Sequence, residues 1–421
     1  MQSSIKLRLT VMNFLQFAVW GAYLTSMGRY LGTAGFGSEI GNFYAMQGLV
    51  SLFMPALMGI VADRWIPAQR LLGVCHMLAG MLMLGVFLYT QTDTPSYPSL
   101  FALYSLSVAF YMPTLALSNS VAYTSLDQAG LDLVKSFPPI RVFGTVGFIC
   151  TMIAVSLLGL EATSGQFAVS AIISLVLAVY AQTLPNCPTA PKGQSKSLVE
   201  ALGLRAFVLF KQRKMALFFI FSMLLGVSLQ ITNGFANPFI STFGEIPAYA
   251  DTFGVKYANI LISLSQLSET LCILLIPFAL RRFGIRRVML IAMVAWVLRF
   301  ALLGLGNPGS GVWLFLLSMI VYGVAFDFFN VSGSLFVDKE TDPSIRSSAQ
   351  GLFMIMTNGI GATLGSLGAQ AVINHFVYSE HDTTAILAGW SMSWYVFAAY
   401  AAVVAVLFAL LFRYNTVTEA K

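Results

Sequence analysis

Apolar residues in this chain neither alternate as in a half-buried strand nor recur as one stripe of a surface helix. They run on without a break for about 20 residues and stop at short polar clusters, which is the length a helix needs to cross a bilayer. Such segments lie near 9–30, 40–62, 71–89, 100–123, 140–158, 167–184, 215–239, 257–280, 288–305, 312–336, 352–373 and 391–412. Hydrocarbon offers backbone groups no water, so only helices and closed barrels can span it. Barrel strands would alternate apolar with polar residues, and these segments do not. The pattern therefore predicts an all-α polytopic membrane protein with twelve spans.

Composition agrees. Of 421 residues, 57% are hydrophobic and only 10% charged, and the mean hydropathy is +0.79. An ordinary soluble domain carries about 25% charged residues. The net charge of +6 would suggest nucleic acid as partner for a soluble protein, but here the basic residues sit between apolar runs and report topology. With the N-terminus inside, the inner segments hold Lys6, Arg8, Arg64, Arg70, Lys135, the basic cluster of 192–214, Arg281, Arg282, Arg286, Arg287, Lys339, Arg346, Arg413 and Lys421. The outer loops hold Arg29 and Lys256 alone, so both termini are expected in the cytoplasm. Lys6 and Arg8 precede the first apolar run as in a signal peptide, yet the run is long and lacks a small-residue cleavage site, so it reads as a retained span. Cys75, Cys150, Cys187 and Cys272 show no pairing or metal spacing, and His76, His375 and His381 join them in no cluster. No metal and no cofactor are expected.

The longest polar stretch, 185–214, predicts a cytoplasmic linker between an N-terminal six-helix half, 1–184, and a C-terminal six-helix half, 215–421. The halves echo each other. GIVADRWIPAQR (59–70) follows the second span and RRFGIRR (281–287) the eighth; Arg141 with Gly144 leads into the fifth, and Arg346 precedes Gln350 and Gly351 before the eleventh. Such internal repetition is how a duplicated transporter looks in sequence. The first loop resembles the G-x-x-x-D-(R/K)-x-G-x-(R/K) signature of the major facilitator superfamily, with Gly59, Asp63 and Arg64 in place and the second glycine absent. Asp63 and Arg64 are accordingly candidates for a gating or structural loop.

An ionisable group inside a span costs at least a few kcal/mol and is a functional hypothesis by default. Arg141, Glu269, Arg299 and Asp327 stand inside spans, and Arg29 reads as interfacial. Arg141, Thr145 and Phe148 fall at i, i+4 and i+7, one helical face. Gln230 with Asn233, and Gln266 with Glu269, are i and i+3; Tyr322 and Phe326 are i and i+4. Asp327 points about 100° away from Phe326, toward Gly323 and Asn330. Carboxamides, aromatic faces, a guanidinium and carboxylates suit a neutral, planar, hydrogen-bonding solute, since amides pair with base edges and rings stack on them. They suit a sugar as well, and amide pairs can also act as interhelical glue at about 0.6 kcal/mol per bond. Desolvation penalises the charged form of a carboxyl, which makes Asp327 and Glu269 candidate proton carriers. The alternative is a permanent ion pair with Arg141 or Arg299.

SFPPIRVFGTVGF (136–148), FFIFSMLLGVSLQITN (218–233), SQLSET (265–270), MVAWVLRFAL (293–302) and SMIVYGVAFDFFNVSGSLFV (318–337) resemble the bacterial nucleoside permeases, the nucleoside/proton symporter family of the major facilitator superfamily. The likeness runs from FLQFAVWG (14–21) to the eleventh span. It implies a single substrate site that alternates between outward and inward openings, with nucleoside contacts at Arg141, Thr145, Phe148, Gln230, Asn233, Gln266, Glu269, Tyr322 and Phe326 and a proton-linked acid at Asp327. It implies further a monomer in the cell inner membrane whose partners are nucleoside, protons and lipid, with no nucleic acid. NFYAMQG (42–48) departs from the Ser-rich or Lys-containing versions of the second span, which marks Gln47 as a residue that tunes substrate choice. SNSVAY (118–123) and QAGLDLV (128–134) lean toward the xanthosine-type members. The competing readings are a carrier of another neutral solute, such as an oligosaccharide, and a membrane enzyme or sensor. The second would need a catalytic cluster or a sizeable soluble domain, and the longest loop is about 30 residues.

Overall fold

The computed structural model describes residues 2–189, 198–201 and 204–414. Two of the lysines of the linker, Lys192 and Lys196, and the terminal Lys421 lie outside the described residues. Among the described residues there is no strand. In chain order the helices are α1 (Gln2–Gly21), α2 (Met27–Thr33), α3 (Ile40–Ser51), α4 (Met54–Arg64), α5 (Ala68–Tyr89), α6 (Tyr97–Gln128), α7 (Leu133–Leu157) and α8 (Gly165–Tyr180). After the linker come α9 (Leu198–Ala201), a 3₁₀ stretch Leu204–Lys211, α10 (Arg213–Gly226), α11 (Ile231–Thr242), α12 (Pro247–Ala250), α13 (Phe253–Lys256) and α14 (Ala258–Leu305). The chain closes with α15 (Val312–Glu340), α16 (Arg346–Met354), a π-helical turn Ile355–Gly361, α17 (Ala362–Phe376) and α18 (Thr383–Leu411).

Ten helical stretches among the described residues are long and apolar enough to cross a membrane. One of them, α14, is two spans joined at Gly284, where φ is 76°. With the first span, α1 and α2 broken at Ala22–Ser26, the twelve apolar runs of the sequence are accounted for. Two local expectations need correction. RRFGIRR forms no separate loop: the helices meet directly, because the left-handed backbone at Gly284, open to a residue without Cβ, reverses the chain in a single step. The seventh span is not one helix either. It is interrupted at Val227–Gln230, where Ser228 and Leu229 bond back only three residues, to Leu225 and Gly226.

The chain divides into two compact units, Met1–Phe36 with Met46–Leu202, and Gly37–Ala45 with Gly203–Lys421. In the first, α1 packs on α7 and α8, and α5 on α6 and α8. The α1–α7 contact is backbone on backbone. A Cβ added at Gly147 would stand 2.1 Å from the Phe14 carbonyl oxygen, and one at Gly21 2.4 Å from that of Phe148. Without a hydrophobic force between helices in lipid, such small-residue approach and interhelical hydrogen bonds hold the bundle. The Gln16 amide nitrogen donates to Thr114 Oγ1 at 2.7 Å, its oxygen meets His76 Nε2 at 2.8 Å, and His76 Nδ1 meets Ser174 Oγ at 2.9 Å. His76, fully buried, is thus a tie between α1, α5, α6 and α8 rather than a lone ring. At the other end, Glu161 pairs with Arg29 at 3.3 Å and accepts from Ser156.

In the second unit α14 packs on α15 and α18, and α10 on the π-helical turn. Glycines again set the approach. A Cβ at Gly226 would lie 2.3 Å from the Thr357 carbonyl oxygen, and one at Gly365 2.0 Å from that of Val227, so the break in the seventh span rests on the eleventh. Arg286 donates to the carbonyls of Phe412 (2.6 Å) and Ala409 (2.7 Å), capping the C-terminus of α18 with a positive charge. Linker residue Lys214 pairs with Glu340 at the end of α15.

Candidate functional site

The first unit carries Arg141, Thr145 and Phe148 on α7, on the face turned to α1. The Arg141 guanidinium lies 4.0 Å from the centroid of the Phe17 ring, and Phe148 meets Trp20 edge-on at 6.4 Å. Trp20 also touches Tyr111, at 6.0 Å. Gly144 and Gly147 hold this wall in place, since a side chain at either would push α1 away. Arg141 and Thr145 are half-buried and Phe148 is buried. Phe17 and Trp20 were not singled out in the sequence; their common signal is that Phe17, Trp20 and Gly21 share one side of the first span.

The second unit carries the remaining stripes. Gln230 stands at the start of α11, where the broken helix leaves it as N-cap, and its Oε1 accepts from Asn233 Nδ2 at 2.9 Å. Gln266 and Glu269 occupy one face of α14 and are half-buried. On α15 the rings of Tyr322 and Phe326 stack at 5.6 Å with 15° between their planes. Asp327 lies on the neighbouring side, as the spacing predicts: Gly323, one turn earlier, packs so closely on α14 that a Cβ there would be 2.5 Å from the Ser268 carbonyl oxygen and 2.7 Å from Cys272 Sγ. Asp327 is 5% exposed, and its Oδ2 is buried with no hydrogen-bond partner among the described residues. It lies within electrostatic reach of Glu269 and of Cys272.

The comparisons with known proteins bear on this arrangement. Residues 3–417 match the family model described as Nucleoside H+ symporter. The chain belongs to the nucleoside H+ symporter family. It is 50% identical over 415 residues to the xanthosine permease of Escherichia coli K12, covering 98% of this chain and 97% of that protein. It is 46% identical over 417 residues to the nucleoside permease NupG of the same organism, with the same coverage. The crystal structure of nucleoside transporter NupG superposes with a TM-score of 0.89 over 98% of this chain and all of that one, at 46% identity. The fold is therefore that of a major facilitator transporter, with twelve transmembrane helices in two six-helix halves, and the protein is a multi-pass membrane transporter rather than an enzyme.

Arg299, 2% exposed on the second half of α14, donates from one terminal nitrogen to the Ser318 carbonyl (2.7 Å) and to Ser265 Oγ (3.4 Å), and from the other to Thr232 Oγ1 (3.2 Å). Among the described residues these hydrogen-bond partners are hydroxyls and a carbonyl, with no carboxylate among them. Gln47 is buried in the first unit, where its amide donates to the Tyr104 hydroxyl at 2.8 Å. Asp63 and Arg64 end α4, Asp63 half-buried and Arg64 exposed. Among the described residues no group of three His, Cys, Asp or Glu side chains is placed to hold a metal.

Proposed function

We propose that this symporter family member imports nucleosides, xanthosine among them, together with a proton, by alternating access. Arg141, Thr145, Phe148, Gln230, Asn233, Gln266, Glu269, Tyr322 and Phe326 are the candidate nucleoside contacts. Asp327 carries the proton, and Asp63 with Arg64 serves the cytoplasmic gate. The observation that carries the reading is Asp327: an acid in the middle of a span, with a buried oxygen that has no hydrogen-bond partner among the described residues. Such a charge is costly in a low-dielectric setting, so gain or loss of a proton there changes the energy of the state that holds it. Amide pairs and a stacked aromatic pair in the same unit supply the hydrogen bonds and the flat surface a base requires. The names of the two relatives support the cargo, and the Lys and Arg bias supports cytoplasmic termini; we further take the protein as a monomer in the cell inner membrane, split as halves 1–184 and 215–421 around the linker 185–214.

Uptake of radiolabelled uridine and xanthosine into cells without permeases of their own tests this. Adenosine and unlabelled xanthosine should compete, and glucose or a disaccharide should not. Competition by the sugars alone would establish the carrier of another neutral solute instead.

A further inference from the structure

Arg299 belongs to none of the recognition stripes, yet it touches every helix of the second unit that bears one. Its guanidinium carbon lies 4.5 Å from the centroid of the Tyr322 ring. Trp296, one turn earlier on the same helix, meets that ring edge-on at 5.9 Å. The Ser318 carbonyl that it grips is the one to which the Tyr322 amide bonds in a regular helix, so the charge acts on the turn that carries Tyr322. Ser318 returns the bond, its hydroxyl donating to the Arg299 carbonyl at 2.9 Å. Thr232 immediately precedes Asn233 on α11, and Ser265 immediately precedes Gln266 on α14. A planar fork with donors on two ends can reach all three at once; an ammonium cannot.

We propose that Arg299 is a positioning residue for the nucleoside site, its single guanidinium fixing Tyr322, Asn233 and Gln266 relative to one another. This rests on the nucleoside reading above and adds the part that sets the geometry of recognition. A buried cation without a carboxylate partner is costly, and a purely structural tie would be met more cheaply by small polar side chains. The three anchors lie on three different spans, and each adjoins a recognition residue or carries its turn.

The test compares wild type with Arg299→Lys, Thr232→Val and Ser265→Ala, measuring uridine and xanthosine binding to purified protein and uptake normalised to the amount of protein in the membrane. Arg299→Lys should weaken binding and raise KM about 10-fold, as lost orientation does, with a much smaller change in the maximal rate. Thr232→Val and Ser265→Ala should each weaken binding about 3-fold, the loss of one ordinary hydrogen bond. In a Tyr322→Ala background the Arg299→Lys effect should shrink below about 3-fold, because the two act as one unit. Wild-type affinity in Arg299→Lys, or an undiminished loss in the Tyr322→Ala background, overturns the proposal. If Arg299→Lys does not accumulate in the membrane, the hydroxyl variants decide: normal affinity in both overturns it. Wild-type protein that binds neither nucleoside overturns the functional reading itself, and this proposal with it.

Discussion

Asp327 and Glu269 are both carboxylates in spans of one unit, and in the proposed reading they have different tasks. Asp327 faces the close α14–α15 contact at Gly323, away from the stacked rings, whereas Glu269 shares a face with Gln266. Asp327→Asn keeps the shape of the acid and mimics its protonated form. Nucleoside should still bind, with less dependence on pH, but concentrative uptake should be lost because a carboxamide has no proton to release. Glu269→Gln should instead weaken binding directly. Binding and uptake for both variants between about pH 5.5 and 8 check this; if Glu269→Gln alone abolishes the pH dependence, the two roles are exchanged. The amides give a second prediction at this scale. Removing one partner in a dry site leaves the ligand's own group unsatisfied at about 1–3 kcal/mol, so Gln230→Ala, Asn233→Ala and Gln266→Ala should each weaken binding roughly 5-fold to 150-fold. Normal affinity in all three purified variants would make them interhelical glue. These residues are candidates from helical spacing and resemblance. Arg299's anchors are not: Thr232, Ser265 and Ser318 are ordinary small polar residues in apolar runs, and only the position of a guanidinium on another helix distinguishes them.

Helix pairs in each unit meet through glycines, and the glycines are not equivalent. Gly147 and Gly365 abut backbone carbonyls, which cannot rotate aside, whereas nothing lies within 4 Å of a Cβ placed on Gly59. Gly147→Ala and Gly365→Ala should therefore destabilise the protein by about 1–3 kcal/mol through overpacking. Gly59→Ala should leave its thermal stability unchanged, although Gly59 is the residue that matches the superfamily signature. Thermal unfolding in detergent, followed by intrinsic Trp fluorescence, separates the three; equal midpoints would show that the helices slide apart at no cost. Gly365 has a further consequence, because it abuts Val227 at the break that leaves Gln230 as N-cap. Gly365→Ala should weaken nucleoside binding, and Gly147→Ala, in the other unit, should spare the Gln230 and Asn233 pair. The seventh span reads as an uninterrupted apolar run because FFIFSMLLGVSLQITN has no proline at the break; the interruption arises where the eleventh span presses on it.

At the scale of the whole molecule, membership of the nucleoside H+ symporter family makes the proton gradient the energy source. One charge crossing about 100 mV is worth roughly 2.3 kcal/mol, enough for about 50-fold accumulation of a neutral solute. A protonophore should therefore collapse concentrative uptake to equilibration, and depletion of ATP at constant gradient should not. The reverse outcome, measured as the ratio of internal to external label, would exclude symport.

What the sequence determined by itself was the number of spans and the helical stripes of Arg141, Gln230, Gln266 and Tyr322, and it supplied the expectation that the basic loops face inward. Each depends on local quantities: the length of an apolar run, the cost of moving charge across lipid, and the 3.6-residue period. What only the tertiary structure decided was where helices break, as at Val227–Gln230, how two spans join at Gly284, and what Arg299 and His76 bond to. Those depend on atoms brought together from distant parts of the chain, and in lipid, where apolar surface gains nothing by meeting apolar surface, close backbone approach and buried hydrogen bonds make the choice.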